Sequence, residues 1–502
     1  MLPIQWFLWI IQMLTSGKHP EQTIRMPAVL HESSGLCAIG DSLFVSHNDS
    51  GNAPNLYFFN YQGQLVLTLE IANATNHDWE DLTLNNLNGD LYIADIGNNA
   101  SRQLLTGLWR AKMDLPGPNN DSFGASDLPF NFELAKNNNG QYVMTIINGP
   151  ERIEVTDFTF KDDSVFIKFP YYNSEIKAQF NERRILGEWH NYAKGPNYYL
   201  PVYCVLNDSA RFQVSVVDLD LPVNVNGKWE VQFIATDRKS KTDALAEFKQ
   251  NQNHVVGTFL TPSGDYRYME GTVTNKGLML SCFDGAHAFL AKGKLDEAGN
   301  IMGEFWSGNH LHEEWWASPD PEGKAIMPNP ETQTKSKKAN TQLSFSLPNV
   351  NGQTVSLSDP KYKNKAVIVQ IMGSWCPNCT DETKLLVDLY NKYNAQGLEV
   401  IALAFETQTD PAQATEQLKK YANYFKIPYE VLLAGQPNKQ GTAKALPELT
   451  EIKGYPTTIY IDRNGKIAKI YTGFNGPATS KYQAEAATIA AFIEKLLHNE
   501  PV

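Results

Sequence analysis

The last third of the chain alternates apolar runs with amphipathic segments. Ala366–Met372 and Leu398–Ala404 are apolar runs, each interrupted by a single polar residue, and are typical of buried strands. Thr380–Tyr393 and Pro411–Phe425 follow them and carry apolar residues at helical spacing. Strands that alternate with helices predict an α/β sheet with crossover connections.

The same alternation continues to the end of this region. The later predicted elements are the strands Tyr429–Leu433, Gly454–Asp462 and Lys466–Tyr471 and the helix Ser480–Leu497. Asn464-Gly465 predicts a tight turn between the last two strands.

Short strands and turn signals dominate the chain before this region. Between residues 27 and 113 the predicted strands are Ser42–Ser46, Asn55–Asn60, Gln64–Leu69 and Asp90–Ala94. Polar segments lie between them at His47–Gly51, Asp78–Asp81 and Asp95–Asn99. This pattern resembles the blades of a β-propeller, but there is room for about two blades and known propellers have at least four. We therefore expect a partial β-propeller-like module. Its carboxylates could bind calcium, although capping of turns is the preferred interpretation.

Length and composition narrow the possibilities. A chain of 502 residues predicts two to four domains. The formal net charge of −12 argues against a nucleic-acid partner. Of five cysteines only one pair is close in sequence, so a disulfide framework is not expected. Cys37, Cys204 and Cys282 are predicted to be buried small apolar residues.

The N-terminus, residues 1–17, is a possible signal segment. Its apolar run has the length of a signal-peptide core and is too short to span a bilayer, but it lacks a basic start. We expect export to the periplasm or cell envelope, with no stable membrane span in the mature chain.

The chemistry is concentrated in Trp375-Cys376-Pro377-Asn378-Cys379. The two cysteines lie between a predicted buried strand and a predicted helix, so the first thiolate faces unpaired N–H groups that favour the anion. A low-pKa thiol with a second thiol in reach suits disulfide exchange, in which one attacks and the other resolves. We expect Cys376 to be the exposed nucleophile and Cys379 the buried partner. The alternatives are a structural disulfide or half of a zinc site, and zinc needs more ligands than this segment offers.

The motif, together with Tyr455-Pro456-Thr457-Thr458, resembles the thioredoxin superfamily and within it the TlpA/ResA-like thiol–disulfide oxidoreductases. The resemblance covers residues 341–497 and implies a thioredoxin-like fold. It also implies that Pro456 is cis and faces the cysteines. Tyr455 and Pro456 would hold the substrate chain, and Trp375 and Thr457 are the further substrate-binding candidates.

The resemblance also assigns the acid–base group. Thioredoxin carries a buried Asp six residues before its first cysteine, where this chain has Gln370. TlpA/ResA-like proteins carry a Glu six residues after it, where this chain has Glu382. A half-buried Glu382 would have a raised pKa and could exchange the proton of the resolving thiol. The alternative is an exposed acid that stabilises the helix dipole.

Residues 128–316 are predicted to form a β-rich, sandwich-like domain. It resembles the region that precedes the redox domain in some long exported TlpA-like proteins. Its predicted strands are Val155–Phe160, Ser164–Phe169, Trp229–Ala235, His254–Leu260, Thr272–Thr274 and Gly277–Phe283. Residues 319–340, with four prolines, are predicted to be a linker that lets the redox domain move.

Two weaker candidate sites lie in the β-rich domain. Ser281–His287 contains a Cys and a His, but a buried strand end is the preferred interpretation. His310 and His312 are predicted to alternate along a strand beside Glu313, and two His without a third placed ligand do not predict a zinc site.

Together these observations predict a multidomain, exported thiol–disulfide oxidoreductase with catalytic Cys376, Cys379, Glu382 and Pro456. Its partners would be proteins with disulfides or dithiols, including an electron-donor dithiol protein, and no dissociable cofactor or metal is needed. One alternative is an envelope binding protein whose cysteine pair only senses redox state. The other is a peroxiredoxin-like thiol peroxidase, which is disfavoured because Gly373 replaces the Thr or Ser expected three residues before the peroxidatic cysteine.

Overall fold

The computed structural model describes residues 26–40, 43–49, 51–71, 74, 76, 79–84, 91–95, 105–115, 127–161, 163–181, 183–214 and 223–500. The chain divides into two compact units, residues 1–105 and 106–502. The possible signal segment lies outside the described residues.

The first unit contains six described strands. They are β1 (Ser33–Ile39), β2 (Leu43–Asn48), β3 (Asn55–Asn60), β4 (Leu65–Glu70), β5 (Trp79–Leu84) and β6 (Leu91–Asp95). The strands β1 to β4 form one antiparallel sheet in chain order, and β5 and β6 form a hairpin. The propeller-like assignment of residues 27–113 stays a prediction.

The boundary after the first unit differs from the predicted one. The next strand, β7 (Gly107–Asp114), pairs with strands of the second unit, so the first unit ends at Leu105 and not at residue 113. The alternating apolar residues of β7 are fully buried in that sheet.

An open antiparallel sheet of nine strands begins the second unit. Its other strands are β8 (Asp127–Lys136), β9 (Tyr142–Asn148), β10 (Glu151–Val155), β11 (Asp157–Lys161), β12 (Ser164–Lys168), β13 (Ser174–Phe180), β14 (Arg184–Asn191) and β15 (Tyr199–Leu206). Their order is β10-β9-β8-β7-β15-β14-β13-β12-β11. The predicted strand Val155–Phe160 is therefore split between two strands at opposite edges.

A closed antiparallel sheet follows. Its strands are β16 (Gly227–Ala235), β17 (Lys241–Asn251), β18 (His254–Thr261), β19 (Gly264–Asp265), β20 (Met269–Thr274), β21 (Gly277–Phe283), β22 (Ala288–Leu295), β23 (Ile301–Ser307) and β24 (Leu311–Pro319). The sheet closes because β17 pairs with both β16 and β18. Aromatic rings of Phe233, Phe259 and Phe305 fill its interior.

The open sheet packs on the closed sheet through Phe283. Its ring lies 4.4 Å from that of Phe130 and 5.2 Å from that of Trp189, measured between centroids. The predicted β-rich domain thus consists of one open and one closed sheet in place of a two-sheet sandwich. Alternating apolar residues predict strands but do not determine whether a sheet closes, since closure depends on which strands pair.

The segment 319–340 is not a free linker along its whole length. It contains the short helix α1 (Pro330–Gln333), and Ser336 forms an antiparallel bridge with Leu449. Thr450 N donates to Lys335 O at 2.8 Å, and Lys337 N donates to Glu448 O at 2.8 Å. Its second half therefore lies along the redox domain.

The redox domain has the predicted thioredoxin-like α/β fold. Its elements are β25 (Ser346–Pro348), β26 (Thr354–Ser356), β27 (Ala366–Met372), α2 (Pro377–Tyr393), β28 (Leu398–Phe405), α3 (Pro411–Tyr424), β29 (Glu430–Gly435), α4 (Lys439–Ala445), β30 (Thr457–Ile461), β31 (Ile467–Thr472) and α5 (Tyr482–His498). The five-stranded sheet has the order β29-β28-β27-β30-β31. The strands β27, β28 and β29 are parallel, and β30 runs antiparallel to β27.

Both faces of this sheet are covered, which is why its central strands are mostly apolar. Ala366 and Ile368 of β27 pack with α2 and α5, whereas Val367, Val369 and Ile371 face the other core. This arrangement places the β27–α2 junction at one edge of the sheet, beside the start of β30.

Among the helices of the described residues, none is long and apolar enough to cross a membrane.

Candidate active site

The two cysteines of the motif lie where the central strand meets its helix. Cys376 is the N-cap residue of α2, and its sulfur accepts a hydrogen bond from Cys379 N at 3.2 Å. The two residues form a disulfide, with their Cα atoms 5.3 Å apart. In the reduced protein the same N–H group and the helix dipole would stabilise a thiolate on Cys376.

The expectation that Cys376 is exposed is wrong for this structure. Cys379 is fully buried as expected, and Cys376 is only 6% exposed. One neighbour that covers Cys376 is the loop before β30, because the carbonyl oxygen of Tyr455 lies 3.7 Å from Cys376 Sγ. The sulfur of Cys376 is therefore the more accessible of the two.

The structure brings the predicted substrate-binding residues close to this sulfur. The Tyr455–Pro456 peptide bond is cis, as the resemblance implied. The rings of Trp375 and Tyr455 meet edge to face with centroids 5.3 Å apart, and Trp375 Nε1 donates to Phe405 O at 2.8 Å. Thr457 is buried, and its hydroxyl donates to Gly454 O at 2.8 Å.

Glu382 is buried beneath the cysteine pair and is not an exposed helix-dipole residue. Its side chain accepts hydrogen bonds from Gln370 Nε2, at 2.9 Å, and from the hydroxyl of Thr458. Burial raises the pKa of Glu382 to about 7, and the two hydrogen bonds oppose that shift. The carboxyl group therefore changes protonation state near neutral pH.

Gln370 connects this acid to the resolving cysteine. The same Nε2 group that reaches Glu382 lies 3.3 Å from the carbonyl oxygen of Cys379, and Gln370 Oε1 accepts from Thr383. Gln370, six residues before Cys376, and Glu382, six residues after it, thus belong to one polar cluster. The sequence suggested the two positions as alternative places for the acid, and the fold makes them neighbours.

A second buried acid, Glu406, was missed by the sequence analysis. It is 1% exposed and accepts hydrogen bonds from Ser374 N at 2.8 Å and Ser374 Oγ at 2.7 Å. Burial raises the pKa of Glu406 to about 7. Glu406 therefore holds the loop that carries Trp375 and Cys376.

A sequence signal for Glu406 existed. It follows the predicted strand Leu398–Ala404 by two residues, and the carboxyl ends of adjacent parallel strands share one edge of a sheet. An acid at that end of β28 must lie near the β27–α2 junction.

The weaker candidates do not assemble a metal site. Cys282 is buried in the closed sheet, and burial raises the pKa of its thiol. His310 lies in the turn before β24, where its imidazole is 3.0 Å from Lys194 Nζ, and an ammonium group there opposes a cation. His312 stacks on Trp306. Within the described ranges no group of three or more His, Cys, Asp or Glu side chains could hold a metal ion. Asp78 of the calcium hypothesis lies outside those ranges.

Comparison with known proteins gives matches to the same part of the chain. Residues 339–470 match the model of the AhpC/TSA family. Thiol-disulfide oxidoreductase ResA of Geobacillus thermodenitrificans is 29% identical over 133 residues, which are 26% of this chain and 68% of that protein. ResA of Bacillus subtilis is 25% identical over 129 residues, 26% of this chain and 64% of that protein.

Solved structures match a similar share. A thiol:disulfide interchange protein of the thioredoxin family from Chlorobium tepidum TLS is 22% identical and covers 32% of this chain and 99% of its own, with a TM-score of 0.25. A putative thiol:disulfide interchange protein DsbE from Chlorobium tepidum is 26% identical and covers 31% of this chain and 99% of its own, with a TM-score of 0.25.

Proposed function

We propose that this chain, whose C-terminal domain is a ResA-like thiol–disulfide oxidoreductase domain, exchanges disulfides with partner proteins in the cell envelope. The observation that carries the proposal is the N-cap position of Cys376, with Cys379 buried behind it and Glu382 linked to Cys379 through Gln370. These are the parts that a nucleophile, a resolving thiol and a proton carrier require.

The exchange runs in two balanced steps. The Cys376 thiolate attacks one sulfur of the partner's disulfide, so a mixed disulfide forms and the partner's other sulfur leaves as a thiolate. The Cys379 thiolate then attacks Cys376 Sγ, which closes the disulfide seen here and releases the partner's second thiolate. Two electrons pass from the dithiol to the partner.

The protonation of Glu382 supports the second step. Cys379 has no exposed surface, so its proton must pass to a group inside the protein. Glu382 is the buried carboxyl beneath Cys379, and its pKa of about 7 lets it accept that proton near neutral pH. In the reverse direction the protonated Glu382 returns it.

Partner proteins supply both ends of the reaction. One class carries the disulfide or dithiol that is exchanged, and a second dithiol protein restores the reduced form of Cys376 and Cys379. Trp375, Tyr455, Pro456 and Thr457 would contact the partner's chain. The predicted export of the chain fits an envelope location, and so does its formal net charge of −12, which argues against nucleic-acid binding.

Two other functions are less well supported. A redox-sensing binding protein would need no proton carrier, yet Glu382 is buried where it can exchange one. A thiol peroxidase would have Thr or Ser where Gly373 stands and a lone peroxidatic cysteine, whereas Cys376 is bonded to Cys379.

The experiment is reduction of insulin by dithiothreitol with catalytic amounts of the protein. We expect acceleration that falls to background in Cys376→Ser and is unchanged in Cys37→Ser, a matched change at a half-buried free cysteine of the first unit. Cys379→Ser should accumulate the mixed disulfide. Stoichiometric oxidation without turnover would instead support the sensor, and thiol-dependent consumption of peroxide would support the peroxidase.

A further inference from the structure

The groove that a partner protein would need is bordered by three segments of the redox domain. The first is the start of α2 at Asn378, the second is the loop Gly454 to Pro456, and the third is the loop that contains Gly473 and Phe474. Gly473 N donates to Pro456 O at 2.8 Å, so the second and third segments are joined. Cys376, which is only 6% exposed, lies beside the first two of these segments.

A turn of the closed sheet lies in this groove. Pro262 and Ser263 connect β18 to β19, and with Gly264 they touch all three segments. A Cβ atom placed on Gly264 would lie 2.2 Å from Asn378 Nδ2 and 2.8 Å from Phe474 O. A Cβ atom on Gly473 would lie 2.5 Å from Pro262 O, and one on Gly454 would lie 3.2 Å from Ser263 Cβ. The turn and the redox domain are therefore in close contact at three glycines, Gly264, Gly454 and Gly473.

The residues after the turn fix it in place. Arg267, which is 6% exposed, donates to Asp381 Oδ2 of α2 at 2.8 Å and also pairs with Glu151 of the open sheet. Its φ of 58° is uncommon for a residue with a side chain, so the surrounding contacts must hold it there. The hydroxyl of Tyr268 donates to Pro477 O at 2.6 Å.

Further contacts surround this point. The carboxylate of Glu247 accepts from Ser480 N at 2.8 Å and from Ser480 Oγ at 2.7 Å. On another side Gln417 Nε2 of α3 donates to Tyr171 O at 2.7 Å, and the ring of Tyr171 packs on that of Phe425. The redox domain is thus docked on both sheets of the β-rich region.

We propose that the turn Pro262–Gly264 is a specificity-determining element of the exchange reaction. While docked, it occupies the place of a partner's polypeptide beside Cys376, so it restricts exchange with folded proteins and permits exchange with small disulfides. This inference rests on the exchange activity proposed above and adds the selection of substrate by size.

The test compares insulin with hydroxyethyl disulfide as substrates of the full chain. Gly264→Leu places a side chain against Asn378 and Phe474 and should displace the turn. We expect the insulin rate to rise about 10-fold while the rate with the small disulfide changes less than about 2-fold. The matched control is Gly299→Leu, which alters another turn of the closed sheet at a positive φ with open space around it.

A second variant covers the case in which Gly264→Leu does not fold. Tyr268→Phe combined with Glu247→Ala removes three hydrogen bonds to the redox domain at exposed positions, and it should raise the insulin rate about 2- to 5-fold. Unchanged insulin rates, or equal changes with both substrates, in whichever variants fold would overturn the proposal. A protein that turns over neither substrate in any variant would instead refute the exchange activity itself.

Discussion

The active site and the interface at which the redox domain packs on the β-rich region both contain buried acids, but the acids have different neighbours. We call the second region the docking interface. Glu382 and Glu406 accept hydrogen bonds from amide, hydroxyl and backbone N–H groups, and burial raises the pKa of each to about 7. Burial alone would also raise the pKa of Asp284, but His287 and Arg267 outweigh it and hold that pKa below its ordinary value. Within the β-rich region, Arg211 in the same way lowers the pKa of the partly buried Glu270 below its ordinary value, against the effect of burial.

The difference shows that burial alone does not assign a role to an acid. A buried carboxyl with only neutral donors can take up and release a proton near pH 7, which suits chemistry. A buried carboxylate that faces an arginine stays charged and serves docking. The presence or absence of a neighbouring positive charge, supplied by another part of the chain, therefore distinguishes the two kinds of buried acid.

The largest expected effect tests the docking side of the comparison. Arg267→Met leaves Asp381, Glu151 and Asp284 without their shared cation, so the free energy of unfolding should fall by about 3–5 kcal/mol. Urea denaturation measures it. The control, Arg238→Met, removes an exposed pair with Glu314 and should cost about 0–1 kcal/mol. Equal losses in the two variants would mean that the interface does not depend on its buried cation.

The next effect tests the chemical side. Glu382→Gln keeps the shape of the side chain and removes its titration, so disulfide exchange should slow about 10-fold or more and its pH dependence should shift. At about pH 4.5 or below, where Glu382 is protonated in the folded protein, the melting temperature of the oxidised form should stay nearly unchanged. Asp388→Asn, an exposed change on the same helix, is the control. An exchange rate–pH curve for Glu382→Gln that overlays the parent's would reduce Glu382 to a structural residue.

The stability of the oxidised protein should depend on pH because burial raises the pKa values of Glu382 and Glu406. Between about pH 4.5 and 7 the folded state keeps a proton on Glu406 that the unfolded state has lost, so the free energy of unfolding falls as pH rises through this window. Each unit of pKa difference corresponds to about 1.4 kcal/mol. Glu406→Gln should flatten the decline, which denaturation at a series of pH values would reveal. A decline of unchanged steepness would place the pKa of Glu406 near its ordinary value.

Asp265 combines features of both kinds of buried acid. It is buried in the docking interface near Arg267, yet burial and the nearby Asp381 raise its pKa to about 7. Glu151 adds to the shift, and Arg267 opposes it. The free energy of unfolding of the parent should therefore fall more steeply as pH rises toward 7 than that of Asp265→Asn, and the difference between them should be largest above pH 7. Parallel pH profiles of melting temperature for the two proteins would contradict this assignment.

The redox domain was largely predictable because local patterns determine it. The strand Ala366–Met372 was predicted at its observed bounds, and the helices after it within a few residues, since buried parallel strands are mostly apolar. The cysteine pair, Glu382 and Pro456 came from a motif with fixed spacing. The hairpin β25–β26 and the short helix α4 were missed, because segments of three to seven residues carry too little periodicity.

The docking interface could not be predicted from the sequence. Arg267 meets acids that are 116 residues before it and 114 residues after it, and no local pattern marks such a group. The closure of the second sheet has the same origin, because it depends on the pairing of β17 with β18 and β16. The low exposure of Cys376 followed from loops that only the tertiary structure brings together.

The attachment of α1 to the redox domain gives the tether between the two regions a definite length. Lys469 of β31 pairs with Glu331 at 2.7 Å, so only the residues from 320 to 329 connect the closed sheet to the docked segment. A stretch of ten residues can span at most roughly 35 Å when it is fully extended. Release of the turn Pro262–Gly264 would then open a gap wide enough for one extended chain while the β-rich region stays at an effective concentration in the millimolar range. Reclosing is a unimolecular event that does not depend on protein concentration. A partner protein must therefore compete with a turn that stays covalently attached to the redox domain.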